Sequence, residues 1–192
     1  MNSFYNQEEI SNLGFKSCGE NVLISRKTSI YAPHLITIGN NVRIDDFVIL
    51  SGSIVLGDYI HIAAFCALFG KTGIEMRNFS GLSSRVTIYS VSDDYSGNFM
   101  TNPTVPSEFK NVKEGKVILG EHVIIGATSV ILPSVEIGEG TAVGAMSMVA
   151  KSLPEWKVCA GTPAIPLKDR KRNINELGTV LMNSVVKEGQ YD

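Results

Sequence analysis

IGNNVRIDDFVILSGSIVLGDYIHIAAFCAL, residues 38–68, carries an aliphatic side chain at every sixth position. The spacing resumes after two extra residues and again beyond a long interruption. The fifteen positions that keep the period are Ile38, Ile44, Leu50, Leu56, Ile62, Leu68, Met76, Leu82, Ile88, Leu119, Ile125, Ile131, Ile137, Val143 and Val149. Apolar residues of an amphipathic helix recur at intervals of three and four residues. A period of six residues therefore favours short strands separated by bends. The repeat predicts stacked coils around a continuous apolar interior.

The residue after each repeat position is often small, as at Gly39, Gly57, Gly120 and Gly138. Because glycine adopts conformations that other residues avoid, we expect these glycines to form the bends. The pattern resembles the hexapeptide repeat of left-handed β-helix acyltransferases over roughly residues 20–170. The resemblance implies an all-β fold, a left-handed parallel β-helix with three hexads to a triangular coil. It also implies a homotrimer.

The chain is divided on this basis into an N-terminal segment (1–20), a β-helix domain (21–166) and a C-terminal basic segment with a helix (167–192). Residues 93–118 break the repeat and are rich in polar residues and proline. A long loop on a rigid scaffold is usually functional, with a tolerated insertion as the alternative. Apolar spacing over 173–187 predicts a capping helix.

Composition excludes several classes of function. A net charge of −2 provides no positive field for nucleic acid or an anionic membrane. No apolar stretch approaches the ~20 residues of a membrane span, so membrane insertion is not expected. The N-terminal residues lack the features of a secretion signal, and three scattered cysteines suggest no disulfide framework. A cytoplasmic protein is the simplest interpretation.

The segment CAGTPAIPLK, residues 159–168, resembles the coenzyme-binding motif that ends the repeat in this family. The resemblance implies acetyl-CoA as co-substrate, with its pantetheine arm along small residues and its phosphates near basic ones. The predicted coenzyme-binding residues are Gly126, Ala127, Gly144, Ala145, Gly161, Thr162, Pro163, Ala164, Lys168 and Arg170. For the two basic residues the alternative is a solvated run before a helix.

The segment VTIYSVSDDYSG, residues 86–97, resembles the part of sugar acetyltransferases that ends in a catalytic histidine. Asp93 stands at that position, and the loop contains no histidine. A hydroxyl acceptor needs a base whose pKa lies near neutral pH to remove its proton. A neutral amine already carries the lone pair with which it attacks and needs less help. We therefore predict Asp93 as the base and expect two adjacent carboxylates to raise one pKa. The predicted substrate-binding residues are Tyr89, Asp94 and Tyr95.

His61 is the second candidate base. It flanks the inward-facing Ile62, so alternation directs it outward like Ala63, which by resemblance occupies a substrate-contacting position. An exposed surface histidine is the alternative. Cys66 lies at an inward position and Cys159 in the coenzyme motif, so neither is expected to act as a nucleophile.

These features predict an acetyl-CoA-dependent sugar acetyltransferase that attacks the thioester directly. We favour N-acetylation of a nucleotide-linked amino-deoxy sugar for surface polysaccharide, with a sugar O-acetyltransferase as the alternative. A β-helix assembly scaffold is the non-enzyme alternative, but it needs neither the polar loop nor the basic terminus. A zinc enzyme of the same fold needs three histidines that converge on one metal, two of them a few residues apart. No metal is predicted, because the intervals here are 27 and 61 residues and the loop has no histidine.

Overall fold

The chain folds as a solenoid of very short strands. The structure is a computed structural model that describes residues 3–188, with side chains described up to Ser184. The strands are β1 (Ser17–Cys18), β2 (Leu23–Ile24), β3 (Ser29–Tyr31), β4 (Ile36–Ile38), β5 (Arg43–Ile44), β6 (Ile49–Leu56), β7 (His61–Ile62), β8 (Ala67–Met76), β9 (Gly81–Leu82), β10 (Thr87–Tyr89), β11 (Val91–Ser92), β12 (Lys113–Glu114), β13 (Val117–Leu119), β14 (Ile124–Ile125), β15 (Val130–Ile131), β16 (Glu136–Ile137), β17 (Ala142–Val143), β18 (Met148–Val149), β19 (Lys157–Gly161) and β20 (Ala164–Asp169). The helices are α1 (Gln7–Asn12) and α2 (Asn173–Glu188), and 3-10 turns span Pro33–Leu35 and Ser107–Phe109.

Parallel pairing arranges the strands on three faces of a triangular prism with about seven turns. The first face follows the order β2, β5, β7, β9, β14, β17 and β19, and β20 closes it antiparallel. The second face consists of β1, β4, the ends of β6 and β8, β13 and β16. The third face consists of β3, the beginnings of β6 and β8, β10, β15 and β18. The predicted parallel β-helix is confirmed.

The prism interior contains the repeat positions. All fifteen are buried, and the most exposed of them, Val143, has only 3% of its surface accessible. Residues four positions further on, such as Val48, Cys66 and Val86, are buried beside them. Each coil therefore contributes aliphatic side chains to one continuous core, which removes their apolar surface from water. Serines buried among them, such as Ser129, donate to main-chain carbonyls.

The prediction that the repeat glycines form the bends is wrong. The left-handed backbone conformation occurs at non-glycine corner residues instead, including Phe47 and Phe65. The repeat glycines are needed because adjacent coils approach closely. A Cβ added to Gly39 would lie 2.6 Å from the Gly57 carbonyl oxygen, and one added to Gly120 would lie 2.7 Å from the Glu139 nitrogen.

The interruption in the repeat is a protrusion with a paired base. The strands β11 and β12 pair antiparallel, so residues 93–112 protrude from the solenoid. The chain has returned to the solenoid by Val117, which pairs with Ile74. The predicted loop over 93–118 therefore includes residues that belong to strands. The two extra residues before Met76 are accommodated by a register shift between β6 and β8.

The two helices lie at different places on the solenoid. The helix α1 begins with a capping box in which Asn6 and Glu9 bond each other's backbone, and β1 already pairs with β4. The helix α2, predicted as a cap, instead lies along one edge of the prism, where Gly178 faces the ring of His122 and the helix borders a cleft with Phe79 and Glu139 of neighbouring coils. Within residues 3–188, neither helix combines the length and apolar character needed to cross a bilayer.

Candidate functional site

One edge of the prism, between the first and third faces, brings together residues that are far apart in the chain. We call it the first corner. It consists of Asp45–Phe47, Ala63–Phe65, Ser83–Arg85, Gly126–Thr128, Gly144–Met146 and Ala160–Thr162. Main-chain hydrogen bonds set the stacking, for example from Ala63 to the Leu82 carbonyl at 3.0 Å and from Gly126 to the Val143 carbonyl at 2.7 Å. The corner changes from acidic and aromatic residues at one end to glycine and alanine at the other.

The glycine and alanine end contains the predicted coenzyme-arm residues. Gly126, Ala127, Gly144 and Ala145 occupy two successive coils of the first corner. There is little space between coils here, since a Cβ on Gly144 would lie 3.0 Å from that of Ala160. The turn between β19 and β20 contains Gly161, Thr162, Pro163 and Ala164, with a cis Thr162–Pro163 peptide. These residues leave a shallow outer surface on which an extended ligand can lie.

The predicted phosphate-binding residues do not lie at this turn. Lys168 pairs with Val158, at the opposite end of the β19–β20 hairpin from Gly161 and Ala164. Arg170 donates to the carbonyl oxygens of His122 at 2.9 Å and Gly140 at 2.8 Å. Burial lowers the pKa of the Arg170 guanidinium. Arg170 therefore ties the segment before α2 to the solenoid, and that contact occupies part of its donor set.

A groove of about 600 Å³ lies on the outer surface of the first face. Its lining includes Tyr59, His61, Ala63, Phe79, Ser83, Ser84, His122 and Arg170. The side chain of His61 is 53% exposed and bonds through Nε2 to Asp45 Oδ2 at 2.8 Å. Partial burial raises the pKa of Asp45, but hydrogen bonds from His61 and Arg43 outweigh it, so the pKa lies below its usual range. A charged Asp45 orients the imidazole within the groove.

A larger groove of about 1040 Å³ lies under the protruding loop. Its lining includes Asp93, Asp94, Tyr95, Asn111, Lys113, Leu132, Pro133, Met148 and Lys151. Asp94 accepts hydrogen bonds from the Ser96 amide at 2.6 Å and Asn111 Nδ2 at 3.1 Å. Asp93 Oδ2 accepts from the Asn102 amide at 3.3 Å. The loop thus holds both carboxylates by separate contacts.

The expectation that the adjacent carboxylates raise one pKa is not met at Asp94. Hydrogen bonds from Ser96 lower the pKa of this carboxyl, and Asn111 adds to the effect. Asp94 is therefore negatively charged at neutral pH. A fixed anion of this kind suits an ammonium group better than a neutral hydroxyl.

Tyr89 does not line this groove, because its ring stacks on Phe69 with centroids 5.3 Å apart. The loop leaves the prism at the second corner, between the third and second faces, which contains residues 132–134 and 150–152. One chain therefore presents the loop carboxylates and the His61 groove at different corners. The predicted base Asp93 and the predicted coenzyme-binding residues of the first corner do not meet within a single chain.

Sequence reasoning missed Asp45, Ser84 and Arg85. Each lies in the first corner, the edge that also contains Gly126, Ala127, Gly144 and Ala145. Writing the hexads in register, with the two extra residues and the loop removed, would have placed Asp45, Ala63, Ser83, Gly126 and Gly144 in one column.

The cysteines do not form a reactive centre. Cys66 is buried and its Sγ donates to the Ser83 carbonyl at 3.1 Å. Burial raises the pKa of the Cys66 thiol to about 11, and burial also raises the pKa of Cys159. Among residues 3–188 the structure has no cluster of three or more histidine, cysteine or acidic side chains suited to a metal ion.

Comparison with known proteins defines the class. The bacterial transferase hexapeptide family (six repeats) matches residues 116–151. The chain is 44% identical over 187 residues to the dTDP-4-amino-4,6-dideoxy-D-glucose acyltransferase of Escherichia coli, covering 96% of this chain and 97% of the relative. The chain belongs to the hexapeptide-repeat acyltransferases, and the prediction of an acyltransferase is confirmed.

Two solved structures extend the comparison. AntD, an N-acyltransferase from Bacillus cereus in complex with dTDP and 3-hydroxybutyryl-CoA, is 57% identical with a TM-score of 0.95, covering 96% of this chain and 99% of AntD. A form of AntD with one serine replaced by cysteine was solved with dTDP-4-amino-4,6-dideoxyglucose and coenzyme A. A galactoside acetyltransferase in complex with coenzyme A is 18% identical with a TM-score of 0.57, covering 86% of this chain and 70% of its own, and shares the fold.

Proposed function

We propose that this protein transfers an acyl group from acyl-CoA to the amino group of a nucleotide-linked 4-amino-4,6-dideoxy sugar. The observation that carries the proposal is the loop groove, which presents Asp93 and Asp94 and no histidine. The Escherichia coli relative is named for this acceptor, and AntD was solved with it and with coenzyme A. Acyl transfer to an amine is the reaction that two fixed carboxylates suit best.

The two carboxylates have separate roles in this mechanism. Asp94, held in its charged form by Ser96 and Asn111, binds the sugar ammonium. The ammonium first releases one proton to solvent, and the neutral amine nitrogen then attacks the thioester carbonyl and forms the new C–N bond. Asp93 accepts the second proton from the tetrahedral intermediate, the C–S bond breaks, and coenzyme A leaves as the thiolate. No acyl-enzyme forms, in keeping with the raised pKa of Cys66.

A second chain completes this site. The loop and the first corner lie at different edges of one prism, so a loop carboxylate reaches a thioester only on a neighbouring chain. We therefore propose a homotrimer with three sites, each between the loop of one subunit and the first corner of the next. The coenzyme arm lies along Gly126, Ala127, Gly144 and Ala145, and ends near the β19–β20 turn.

The donor is acetyl-CoA in this proposal, and the protein acts in the cytoplasm, where nucleotide sugars and acyl-CoA meet. The solvent-facing Lys168 is kept as the proposed contact for a coenzyme phosphate, which requires the phosphates to lie along the β19–β20 hairpin beyond its turn. Because AntD was solved with 3-hydroxybutyryl-CoA, the preference of this protein for one acyl chain over the other is tested directly. Acetyl-CoA and 3-hydroxybutyryl-CoA are supplied separately at equal concentration, and initial rates are compared.

The test is mass spectrometry of an acceptor panel incubated with each donor. The panel pairs nucleotide-linked 4-amino-4,6-dideoxyglucose with its 4-hydroxy analogue and with plain galactosides and glucosides. A gain of one acyl group only on the amino sugar supports the proposal. A gain only on hydroxyl sugars would instead favour an O-acetyltransferase, a reading to which the Asp45–His61 pair lends weight. If no acceptor gains an acyl group and the protein does not bind acyl-CoA, the result would favour the non-enzyme alternative, a β-helix assembly scaffold.

A further inference from the structure

Arg85 differs from its cationic neighbours at the N-terminal end of the prism. Arg26 pairs with Glu9, Lys27 with Asp46 and Arg43 with Asp45. The exposed guanidinium of Arg85 has no carboxylate partner within 4 Å among the side chains that the structure describes. A free cation on the outside of a groove is a candidate for an anionic ligand.

Arg85 is held in place without such a partner. It occupies a corner position with a φ of 64°, and its Cζ lies 5.3 Å from the centroid of the Phe65 ring. Phe65 in turn stacks on Phe47 with centroids 5.0 Å apart. A guanidinium that rests its flat face on an aromatic ring keeps the N–H groups along its edge for other partners. The contact with Phe65 therefore restrains the Arg85 side chain at the corner and leaves guanidinium N–H groups for another partner.

The position of Arg85 in the first corner indicates which anion it meets. Its coil lies between the Ala63–Phe65 coil, beside the His61 groove, and the Gly126–Thr128 coil, where the coenzyme arm is proposed to begin. The β19–β20 turn lies three coils beyond Arg85, roughly 14 Å at the ordinary spacing between strands. In the proposed arrangement the coenzyme arm runs from this coil toward that turn, which places the coenzyme phosphates on the side away from Arg85. The remaining anion of the proposed reaction is the diphosphate that links the sugar to its nucleoside.

We propose that Arg85 binds the diphosphate of the nucleotide-linked acceptor and that Phe65 positions it for this contact. The inference rests on the proposed function, because it requires a nucleoside diphosphate sugar as the acceptor. Guanidinium and diphosphate match as bidentate donor and acceptor, which an ammonium does not reproduce. Arg85 then selects nucleotide-linked amino sugars over free ones.

The experiment compares wild type with Arg85→Gln, Arg85→Lys and Phe65→Leu. Steady-state kinetics use the nucleotide-linked amino sugar and the same sugar without its nucleotide, and dTDP affinity is measured by calorimetry in the presence of coenzyme A. Because a hydrogen bond to a charged group is lost, we expect Arg85→Gln to raise KM for the nucleotide-linked acceptor and the Kd of dTDP by roughly 10- to 100-fold. The KM for acyl-CoA and kcat/KM for the free sugar stay at their wild-type values.

The variants separate a binding role from a structural one. Arg85→Lys restores only part of the affinity, and Phe65→Leu weakens dTDP binding less than Arg85→Gln does. Lys27→Gln is the matched control, because Lys27 contacts the other end of the stack but is already paired with Asp46. Its dTDP affinity stays at the wild-type value.

Each contrary result has a distinct meaning. If dTDP binds wild type and Arg85→Gln equally, the inference is wrong while the proposed function stands. If Arg85→Gln instead raises the KM for acyl-CoA alone, Arg85 serves the coenzyme and the inference is again wrong. If wild type neither binds dTDP nor acylates the amino sugar, the proposed function fails and the inference fails with it.

Discussion

His61 donates a hydrogen bond through Nε2 to Oδ2 of Asp45 at 2.8 Å, and Arg43 Nε holds the other oxygen of that carboxylate at 2.7 Å. His61 and Asp45 belong to adjacent coils and are 16 positions apart in the chain. A neutral imidazole that donates through Nε2 keeps its Nδ1 lone pair, which is the arrangement of a general base. This pair and the loop carboxylates are therefore the two candidate sources of the base in the proposed reaction.

Replacing Asp93 by Asn distinguishes the two sources. Because Asp93 takes the proton in the proposed mechanism, we expect Asp93→Asn to lower kcat by roughly 10²-fold or more with the amino-sugar acceptor. His61→Ala lowers it by less than about tenfold. The measurement is steady-state kcat with saturating acyl-CoA, with Glu155→Gln as an exposed control. The reverse pattern, full turnover in Asp93→Asn and collapse in His61→Ala, would assign the base to His61.

The Asp45 contacts predict a pH-dependent contribution to stability. The folded-state pKa of Asp45 lies below its value in the unfolded chain, about 3.9. The stabilisation is therefore present above pH ~4 and is lost as the pH falls through the folded pKa. We expect Asp45→Asn to lower the free energy of unfolding by about 1 kcal/mol at pH 7. By pH 3 the difference from wild type is smaller. Thermal unfolding at both pH values tests this, and a pH-independent difference would contradict it.

The close approach of the coils predicts which glycines tolerate a methyl group. A Cβ on Gly120 would lie 2.7 Å from the Glu139 nitrogen, whereas one on Gly81 would meet only the His61 carbonyl oxygen at 3.5 Å. We expect Gly120→Ala to destabilise the fold by about 1–3 kcal/mol, because the backbone must shift. Gly81→Ala is the matched control and stays close to wild type. Urea denaturation of both variants measures the difference, and equal midpoints would show that the coils can separate without cost.

The burial of the thiols predicts their reactivity in the folded protein. Cys18 is exposed, whereas Cys66 and Cys159 are fully buried. With a pKa of about 11, Cys66 is roughly one-thousandth thiolate at pH 8, and the solenoid also blocks access. We expect iodoacetamide to label Cys18 alone, with no loss of activity in Cys66→Ser. Peptide mass spectrometry reads the labelling, with urea-unfolded protein as the control. Rapid labelling of Cys66 in the native state would show that the coils open.

The sequence alone determined the interior of this protein. The period of six identified the inward positions, such as Ile44, Ile62 and Leu82, because each coil repeats the same local alternation of buried and exposed residues. It also located the protruding loop, where that alternation breaks, and the C-terminal helix, where apolar residues recur at helical spacing. The carboxylates of the loop stand out in the sequence because Asp93 occupies the position at which similar sugar acetyltransferases have a histidine.

Tertiary structure decided which outward residues share a corner. Asp45 and Arg85 lie in the first corner on either side of the coil that carries His61, and these coils differ in length, so the alignment of the three residues depends on the register between coils. Hydrogen bonds between neighbouring strands set that register, and a count along the chain recovers it only when the two extra residues of β8 and the 93–112 protrusion are taken out. For the same reason only the folded chain reveals that Arg170 bonds two carbonyl groups, and that the loop and the first corner lie on separate edges of the prism.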